Sequence, residues 1–227
     1  MIGLLIQDNQ YEQDIRELLM SFYPGETYAH EVKDGLDFYV ETRLGDSAVS
    51  VLIWENGAAP EGWKLSDSRT RPSDLSDHSA TKNVIKKMFY LMLAARTGKE
   101  MPWGSLTGIR PTKIALTRLE EGWKEEDIRS FMKETYLASD EKIDLSIEIA
   151  AREKKLLEPL DYERGYSLYV GIPFCPTTCL YCSFTSYPIG KWRGRTGLYL
   201  EALFKELEYT ARKMEGRPLD TVYFGGG

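Results

Sequence analysis

The sequence lacks the features that would place the protein in a membrane or on nucleic acid. No apolar run in its 227 residues reaches the about 18 residues that span a bilayer. The short apolar N-terminal stretch has no basic residues before it, which argues against a secretory signal. Lys and Arg number 29 against 35 Asp and Glu, a net charge of −6, so no overall positive charge favours nucleic acid. We therefore predict a cytoplasmic protein with neither membrane nor nucleic-acid partners.

Cysteine is also scarce, and its placement is informative. The three cysteines, Cys175, Cys179 and Cys182, all lie in the eight-residue stretch CPTTCLYC. Random placement would produce this clustering on the order of once in a thousand sequences, so a shared chemical role is favoured. An odd number of neighbouring thiols in a chain without a secretory signal argues against disulfides. The pattern predicts a metal or redox centre in a reducing compartment.

The spacing of these cysteines favours an iron–sulfur cluster over zinc. Three thiolates can each hold one iron of a cubane cluster, which leaves the fourth iron open to a substrate or cofactor. Structural zinc usually takes four ligands, and His30 and His78 lie in a different predicted domain. Zinc binding and unliganded reactive thiols are the alternatives.

The first 160 residues predict an α+β accessory domain. A buried strand is expected at 2–6, and Asp8 is placed to cap a helix that ends at Pro24-Gly25. Alternating apolar residues between Leu36 and Ile53, interrupted by a Gly-Asp turn, predict a β-hairpin. Residues 55–80 have no periodicity and are expected to form an exposed loop. Four helices are then expected, at 80–97, 111–121, 125–136 and 139–157.

Residues 161–227 predict the beginning of a second domain after a linker at 158–165. A strand at 166–172, a helix at 196–214 and a strand at 219–224 form one βαβ unit of a parallel sheet. The cysteines follow the first strand, at the end where parallel α/β folds bind their ligands. This domain is far shorter than the about 250 residues of a closed eight-unit barrel. We therefore expect that the sequence ends inside a barrel domain and that these 227 residues alone are inactive.

The cysteine segment resembles the radical S-adenosyl-L-methionine (SAM) superfamily, whose signature has this spacing and an aromatic residue, here Tyr181, before the last cysteine. The longer stretch YVGIPFCPTTCLYCSF at 169–184, with the glycines at 225–227, resembles the oxygen-independent coproporphyrinogen III dehydrogenase family. The stretch GSLTGIRPTKIA at 104–115 is similar to HemZ-type members. One departure is Gly171, where many relatives have histidine. The implied fold is an α/β radical SAM partial (β/α) barrel preceded by the α+β domain.

The resemblance implies cofactors, a reaction and partners. Cys175, Cys179 and Cys182 match the ligands of a 4Fe-4S cluster, and Tyr169, Tyr181, Gly226 and Gly227 match positions that contact SAM. The implied enzyme uses a 5′-deoxyadenosyl radical to abstract hydrogen from a propionate of coproporphyrinogen III. Loss of carbon dioxide and one electron then gives the vinyl group of protoporphyrinogen IX in haem biosynthesis. The implied partners are this tetrapyrrole and an electron donor protein.

Two other functions are compatible with the same motifs. Haem chaperones share the Pro-Phe-Cys opening and the three glycines, and they carry haem without decarboxylating a substrate. A radical SAM enzyme with another substrate is the third possibility.

Weaker signals lie in basic residues and histidines. Arg110 precedes a predicted helix and could receive a carboxylate, although a structural arginine is the interpretation we favour. A basic group after the cysteines could meet propionates or the SAM carboxylate, but a solvated loop is favoured; its members are Lys191, Arg193 and Arg195. His30 and His78 are expected at the surface, and the tryptophans and the helical Met88 and Met92 are expected to pack.

Overall fold

A computed structural model describes residues 1–31, 35–56, 62–108, 110–161, 163–184 and 186–226. The chain divides into two units, Met1–Lys155 and Leu156–Gly227. The predicted fold class, an α+β unit followed by a parallel βαβ unit, is confirmed. Within the described ranges, no helix is long and apolar enough to cross a membrane.

The first unit contains a mixed five-stranded sheet. Its strands, in chain order, are β1 Ile2–Ile6, β2 Tyr28–Ala29, β3 Phe38–Leu44, β4 Ala48–Asn56 and β5 Trp63–Pro72. The order across the sheet is β2-β1-β3-β4-β5, with β1 parallel to both neighbours and β3, β4 and β5 antiparallel. The amide of Gly45 donates to the carbonyl of Ala48 at 2.9 Å and closes the β3–β4 turn. The predicted first strand and hairpin are therefore confirmed.

Strand β5 shows that the predicted loop at 55–80 is wrong over much of its length. The strand pairs with β4 from Ala48 opposite Pro72 to Asn56 opposite Trp63, with one shift of register between Ile53 and Trp54. It lies at the edge of the sheet, and most of its side chains are polar and exposed. The backbone ladder holds such a strand without the apolar alternation by which strands are detected in a sequence. Residues 57–61 of the predicted loop lie outside the described residues.

Five helices complete the described part of the first unit, and the four that were predicted with both bounds agree with the sequence predictions to within about two residues at each end. They are α1 Glu12–Phe22, α2 His78–Thr97, α3 Thr112–Glu120, α4 Glu125–Tyr136 and α5 Asp140–Leu157. Asp8 caps a short 3₁₀ turn, Asn9–Tyr11, that leads into α1. Helix α2 begins two residues before the predicted start because Asp77 accepts the amide of Ala80 at 2.9 Å. It ends at Gly98, whose φ of 68° suits glycine.

Two large apolar clusters stabilise the first unit. The first packs α1 and α2 against the sheet and includes Leu18, Phe22 and Phe89, each with no exposed surface. Met88 and Met92 belong to it, as predicted. The second joins α3, α4 and α5 around Ile128 and Met132. Each fully buried side chain of this kind contributes about 1.5–3 kcal/mol to folding.

The second unit is a βαβ arrangement with little buried surface. Its elements are β6 Tyr166–Ile172, β7 Phe174–Cys175, β8 Tyr187–Pro188, α6 Ile189–Trp192, a 3₁₀ turn Arg193–Arg195, α7 Thr196–Lys213 and β9 Leu219–Gly226. Strands β6 and β9 are parallel, as predicted. Among the described residues of this unit, Val170 is the one buried hydrophobic side chain. Of the predicted apolar face of α7, Leu200 and Phe204 are exposed.

Candidate metal and cofactor site

The cysteine loop leaves the C-terminal end of β6 and is closed at its base by the two short strands. Phe174 pairs with Tyr187 in parallel register, and the amide of Tyr187 donates to the carbonyl of Pro173 at 2.8 Å. The ring of Phe174 meets the ring of Tyr199 edge-on at 5.1 Å between centroids. The Trp192 ring lies 5.3 Å from that of Tyr187. These four aromatic side chains form an aromatic cluster at the base of the loop, and the cluster holds the two ends of the loop together. Its members are Phe174, Tyr187, Trp192 and Tyr199.

The three thiols lie on this loop and are free. Cys175 and Cys182 are half-buried, and Cys179 is exposed. The amide of Cys182 donates to the carbonyl of Cys179 at 3.0 Å, which makes a turn between them. Within the described ranges, no three His, Cys, Asp or Glu side chains are gathered closely enough to hold a metal ion. The structure therefore places all three thiols on one loop but does not bring them together.

The donor set nevertheless fits an iron–sulfur cluster chemically. All three groups are thiols, which are the ligands such clusters take, and none is used in a disulfide. Among the described residues between Cys175 and Tyr187, 176–184 and 186, there is no helix or strand that would oppose closing of the loop around a cluster. Tyr181, which is expected beside SAM, is almost fully exposed on this loop.

One face of the β6–β9 sheet carries Tyr169. Tyr169 lies directly opposite Tyr223, and the two rings stack at 5.4 Å between centroids with an interplanar angle of 24°. The Tyr169 ring lies over the paired glycines Gly171 and Gly225, and the Tyr223 ring lies over Gly225. A Cβ added to Gly225 would lie 2.6 Å from the Tyr169 hydroxyl oxygen. The glycines leave room for the tyrosine rings at the end of the sheet from which the cysteine loop departs.

Gly226 lies opposite Ile172 on the same pair of strands. Its φ is 122°, a value that L side chains rarely adopt, and a Cβ there would collide with the carbonyl of Ile172. We predicted glycine here because a side chain would hold SAM away from the backbone. The close approach of β6 and β9 is a second requirement for glycine. Gly227, the other predicted SAM contact, lies outside the described residues.

The remaining candidates are placed as follows. The basic group Lys191, Arg193 and Arg195 is exposed, and the guanidinium of Arg195 lies 5.5 Å from the Trp192 ring. The histidines are exposed in the first unit, and the ring of His78 stacks on that of Tyr11. Arg110 lines a cavity of the first unit.

Sequence reasoning missed two features of the site. Tyr223 was not singled out, because its position beside Tyr169 depends on the register in which β9 pairs with β6. Trp192 was assigned to packing, without its role at the base of the cysteine loop. That role depends on β8, a two-residue strand that leaves no pattern in the sequence.

Comparison with known proteins yields a match along nearly the whole chain. The oxygen-independent coproporphyrinogen-III oxidase-like protein HemZ of Bacillus subtilis is 32% identical over 230 residues, which is 98% of this chain and 45% of the relative. The haem chaperone HemW of Synechocystis is 40% identical over 63 residues, 26% of this chain and 15% of the relative. The oxygen-independent coproporphyrinogen III oxidase of Pseudomonas aeruginosa is 42% identical over 62 residues, which is 27% of this chain and 13% of the relative.

These matches differ in how much of each protein they cover. The chain spans about half the length of the HemZ relative and a smaller share of the others. No protein-family model matches the chain, and no solved structure matches it.

Proposed function

Because the chain belongs to the HemZ-type family of oxygen-independent coproporphyrinogen-III oxidase-like proteins, we propose that it is part of a radical SAM oxidoreductase that decarboxylates coproporphyrinogen III. The product would be protoporphyrinogen IX, in haem biosynthesis. The observation that carries this proposal is the match along 98% of the chain, which includes the three thiols.

The proposed roles are those that the resemblance of the motifs implies for each residue. Cys175, Cys179 and Cys182 hold the 4Fe-4S cluster. The aromatic cluster at the base of their loop keeps the two ends of the loop together as the loop closes around the iron–sulfur cluster. When bound, the cluster and SAM would supply the radical chemistry that takes a hydrogen atom from a substrate propionate, so that this propionate would lose carbon dioxide and one electron and become a vinyl group. Tyr169 offers an exposed aromatic face beside the site, and Tyr181 reaches it from the loop.

The glycine end of the sheet has a separate role in this proposal. Gly226 presents backbone groups without a side chain, so that the amino group of SAM can approach them. A cytoplasmic location, where thiols stay reduced, and an electron donor protein are parts of the same proposal.

A haem chaperone is the second candidate, because haem chaperones are among the relatives that this chain matches. The HemW and coproporphyrinogen III oxidase relatives match similar lengths of this chain at similar identity, 40% and 42%. These two matches therefore do not separate an enzyme from a haem carrier. What favours the enzyme is that the HemZ match extends over the accessory unit as well.

The test is to measure both activities in the intact protein that carries this sequence. The protein is reconstituted with iron and sulfide without oxygen, then given coproporphyrinogen III, SAM and a reductant, and vinyl-bearing product is measured. Haem binding is titrated in parallel. We expect product that depends on SAM, reductant and all three cysteines.

Tyr181→Ala tests the cofactor side, with Tyr209→Ala on the exposed surface of α7 as the matched control. The first should reduce turnover while most of the cluster remains, and the second should change neither. If the protein binds haem stoichiometrically but forms no vinyl product in the presence of a competent electron donor, the proposed enzyme function is wrong and the chaperone function takes its place.

A further inference from the structure

The first unit contains a cavity of about 470 Å³ that the proposed function does not use. It is lined by residues of α1 and α2 and by the segment 105–118, which includes most of the HemZ-like stretch. Its size is in the range of sites for small molecules. Leu106, Pro111 and Ile114 give part of its wall an apolar surface.

The wall of the cavity is firmly anchored. The amide and the hydroxyl of Ser105 both donate to the carbonyl of Tyr136, at 2.8 and 3.2 Å, and Ser105 is only 2% exposed. Gly104 has a φ of 57°, and a Cβ there would collide with the end of α4. The segment is therefore held against α4 and cannot fill the cavity by collapsing into it. Ile109 of the stretch lies outside the described residues.

A buried ammonium group lines the cavity. Lys86 is 8% exposed, and burial lowers the pKa of its amino group. It donates to the hydroxyl of Thr107 at 2.7 Å, but the distance to its carboxylate partner, Asp14, is 3.4 Å. The hydroxyl of Thr107 in turn donates to Glu17 at 3.0 Å. A charge-assisted hydrogen bond is normally about 2.7–2.9 Å, so Asp14 only weakly compensates the charge of Lys86.

The other charges around the cavity are mostly positive. Five cationic side chains line it, against the carboxylates of Asp14 and Glu17; they are Lys82, Lys86, Arg110, Lys113 and Arg118. Two of the cations bind carboxylates outside the cavity, since Arg110 contacts Glu153 at 3.2 Å and Arg118 contacts Glu121 at 2.6 Å.

Lys82 and Lys113 are left for a ligand. Neither has an ion-pair partner among the residues that the structure describes. Lys82 precedes Lys86 by one helical turn, and like charges at that spacing repel each other. An anion bound between the amino groups of Lys82 and Lys86 would relieve the repulsion between their charges.

We propose that this cavity binds a small organic phosphate. A phosphate monoester carries about −1.5 to −2 charges and three acceptor oxygens, which suits several separate amino groups and the hydroxyl groups of Ser79 and Thr117. The apolar wall accommodates the organic part of the ligand. The site goes beyond the proposed decarboxylation, and its test does not depend on the cluster.

The test uses cluster-free intact protein and defined probes. AMP and pyrophosphate are titrated by isothermal calorimetry, with malonate as the carboxylate comparison. The double variant Lys82→Gln/Lys113→Gln should weaken AMP and pyrophosphate binding by about tenfold or more, because it removes two charged contacts. Lys64→Gln, an exposed lysine on β5, removes one charge elsewhere and should leave the affinity unchanged. Thermal unfolding checks that all variants are folded.

Each outcome decides for or against the site. Saturable phosphate binding that the double variant loses and Lys64→Gln keeps supports the proposal. Absence of saturable binding of AMP and pyrophosphate at millimolar concentration overturns it, as does equal affinity in the double variant. Tighter binding of malonate than of either phosphate would overturn the phosphate assignment.

Discussion

The two units of the chain are stabilised in different ways. The first buries two large apolar clusters and a third, smaller one. The described part of the second buries the single hydrophobic side chain of Val170, while Tyr169, Tyr181, Phe184, Phe204 and Phe224 are more than half exposed. The two units also differ in their reactive groups, since all three thiols lie in the second unit.

The difference shows which residues constrain each unit. In the first, side-chain packing decides which residues are tolerated. In the second unit, backbone geometry decides which residues are tolerated. The two strands approach closely at Gly226, and the two ends of the cysteine loop pair with each other. Four predictions test this comparison.

The largest expected effect is on the core of the first unit. Phe89→Ala should destabilise that unit by about 3–5 kcal/mol, because it removes a fully buried ring. Phe204→Ala, which truncates an exposed ring of α7, should change stability by less than about 0.5 kcal/mol. Urea unfolding followed by circular dichroism measures both. A cost of several kcal/mol for Phe204→Ala would show that the second unit also has a packed core.

The next effect concerns the backbone of the second unit. Gly226→Ala should cost about 1–3 kcal/mol, because alanine is strained at a φ of 122° and its Cβ would meet Ile172. Hydrogen exchange of the β6 and β9 amides should accelerate. Gly197→Ala at the start of α7, where no atom lies within 4 Å of the added Cβ, is the control. Equal exchange rates in the two variants would contradict the backbone constraint.

The sequence predicts the features of both units that leave a periodic or spacing signal. The helices and β6 were found because apolar residues recur along them, and the cysteines because of their spacing. Strand β5 was missed because its side chains are polar, and β2 and β8 because two residues carry no period. The position of Tyr223 beside Tyr169 arises from pairing between distant segments, which local patterns do not encode.

A smaller effect is expected from the tyrosine pair. Tyr223→Leu removes the ring stacked on Tyr169, so the orientation of Tyr169 is no longer fixed. The affinity of the reconstituted protein for SAM should fall by about threefold to tenfold, measured by equilibrium dialysis. Tyr209→Leu on α7 serves as the matched control. Unchanged SAM affinity in Tyr223→Leu would exclude the pair from the cofactor site.

The smallest effect is a pH dependence in the first unit. Burial lowers the pKa of Lys86 below its ordinary 10.5, so the unfolded chain binds more protons between these two pKa values. Stability relative to Lys86→Met should therefore rise with pH in that window, by at most about 1.4 kcal/mol per pH unit. Guanidinium unfolding of both proteins at several alkaline pH values measures this difference. A difference that falls with rising pH would contradict the burial of the charged amino group.

The most direct test of the central claim is reconstitution of the intact protein with iron and sulfide in the absence of oxygen. The account predicts broad thiolate-to-iron absorption near about 400 nm. Cys175→Ala, Cys179→Ala and Cys182→Ala should each abolish this absorption, and Thr177→Ala in the same loop should retain it. Stoichiometric zinc without an iron chromophore, or a cluster that persists in all three cysteine variants, would contradict it.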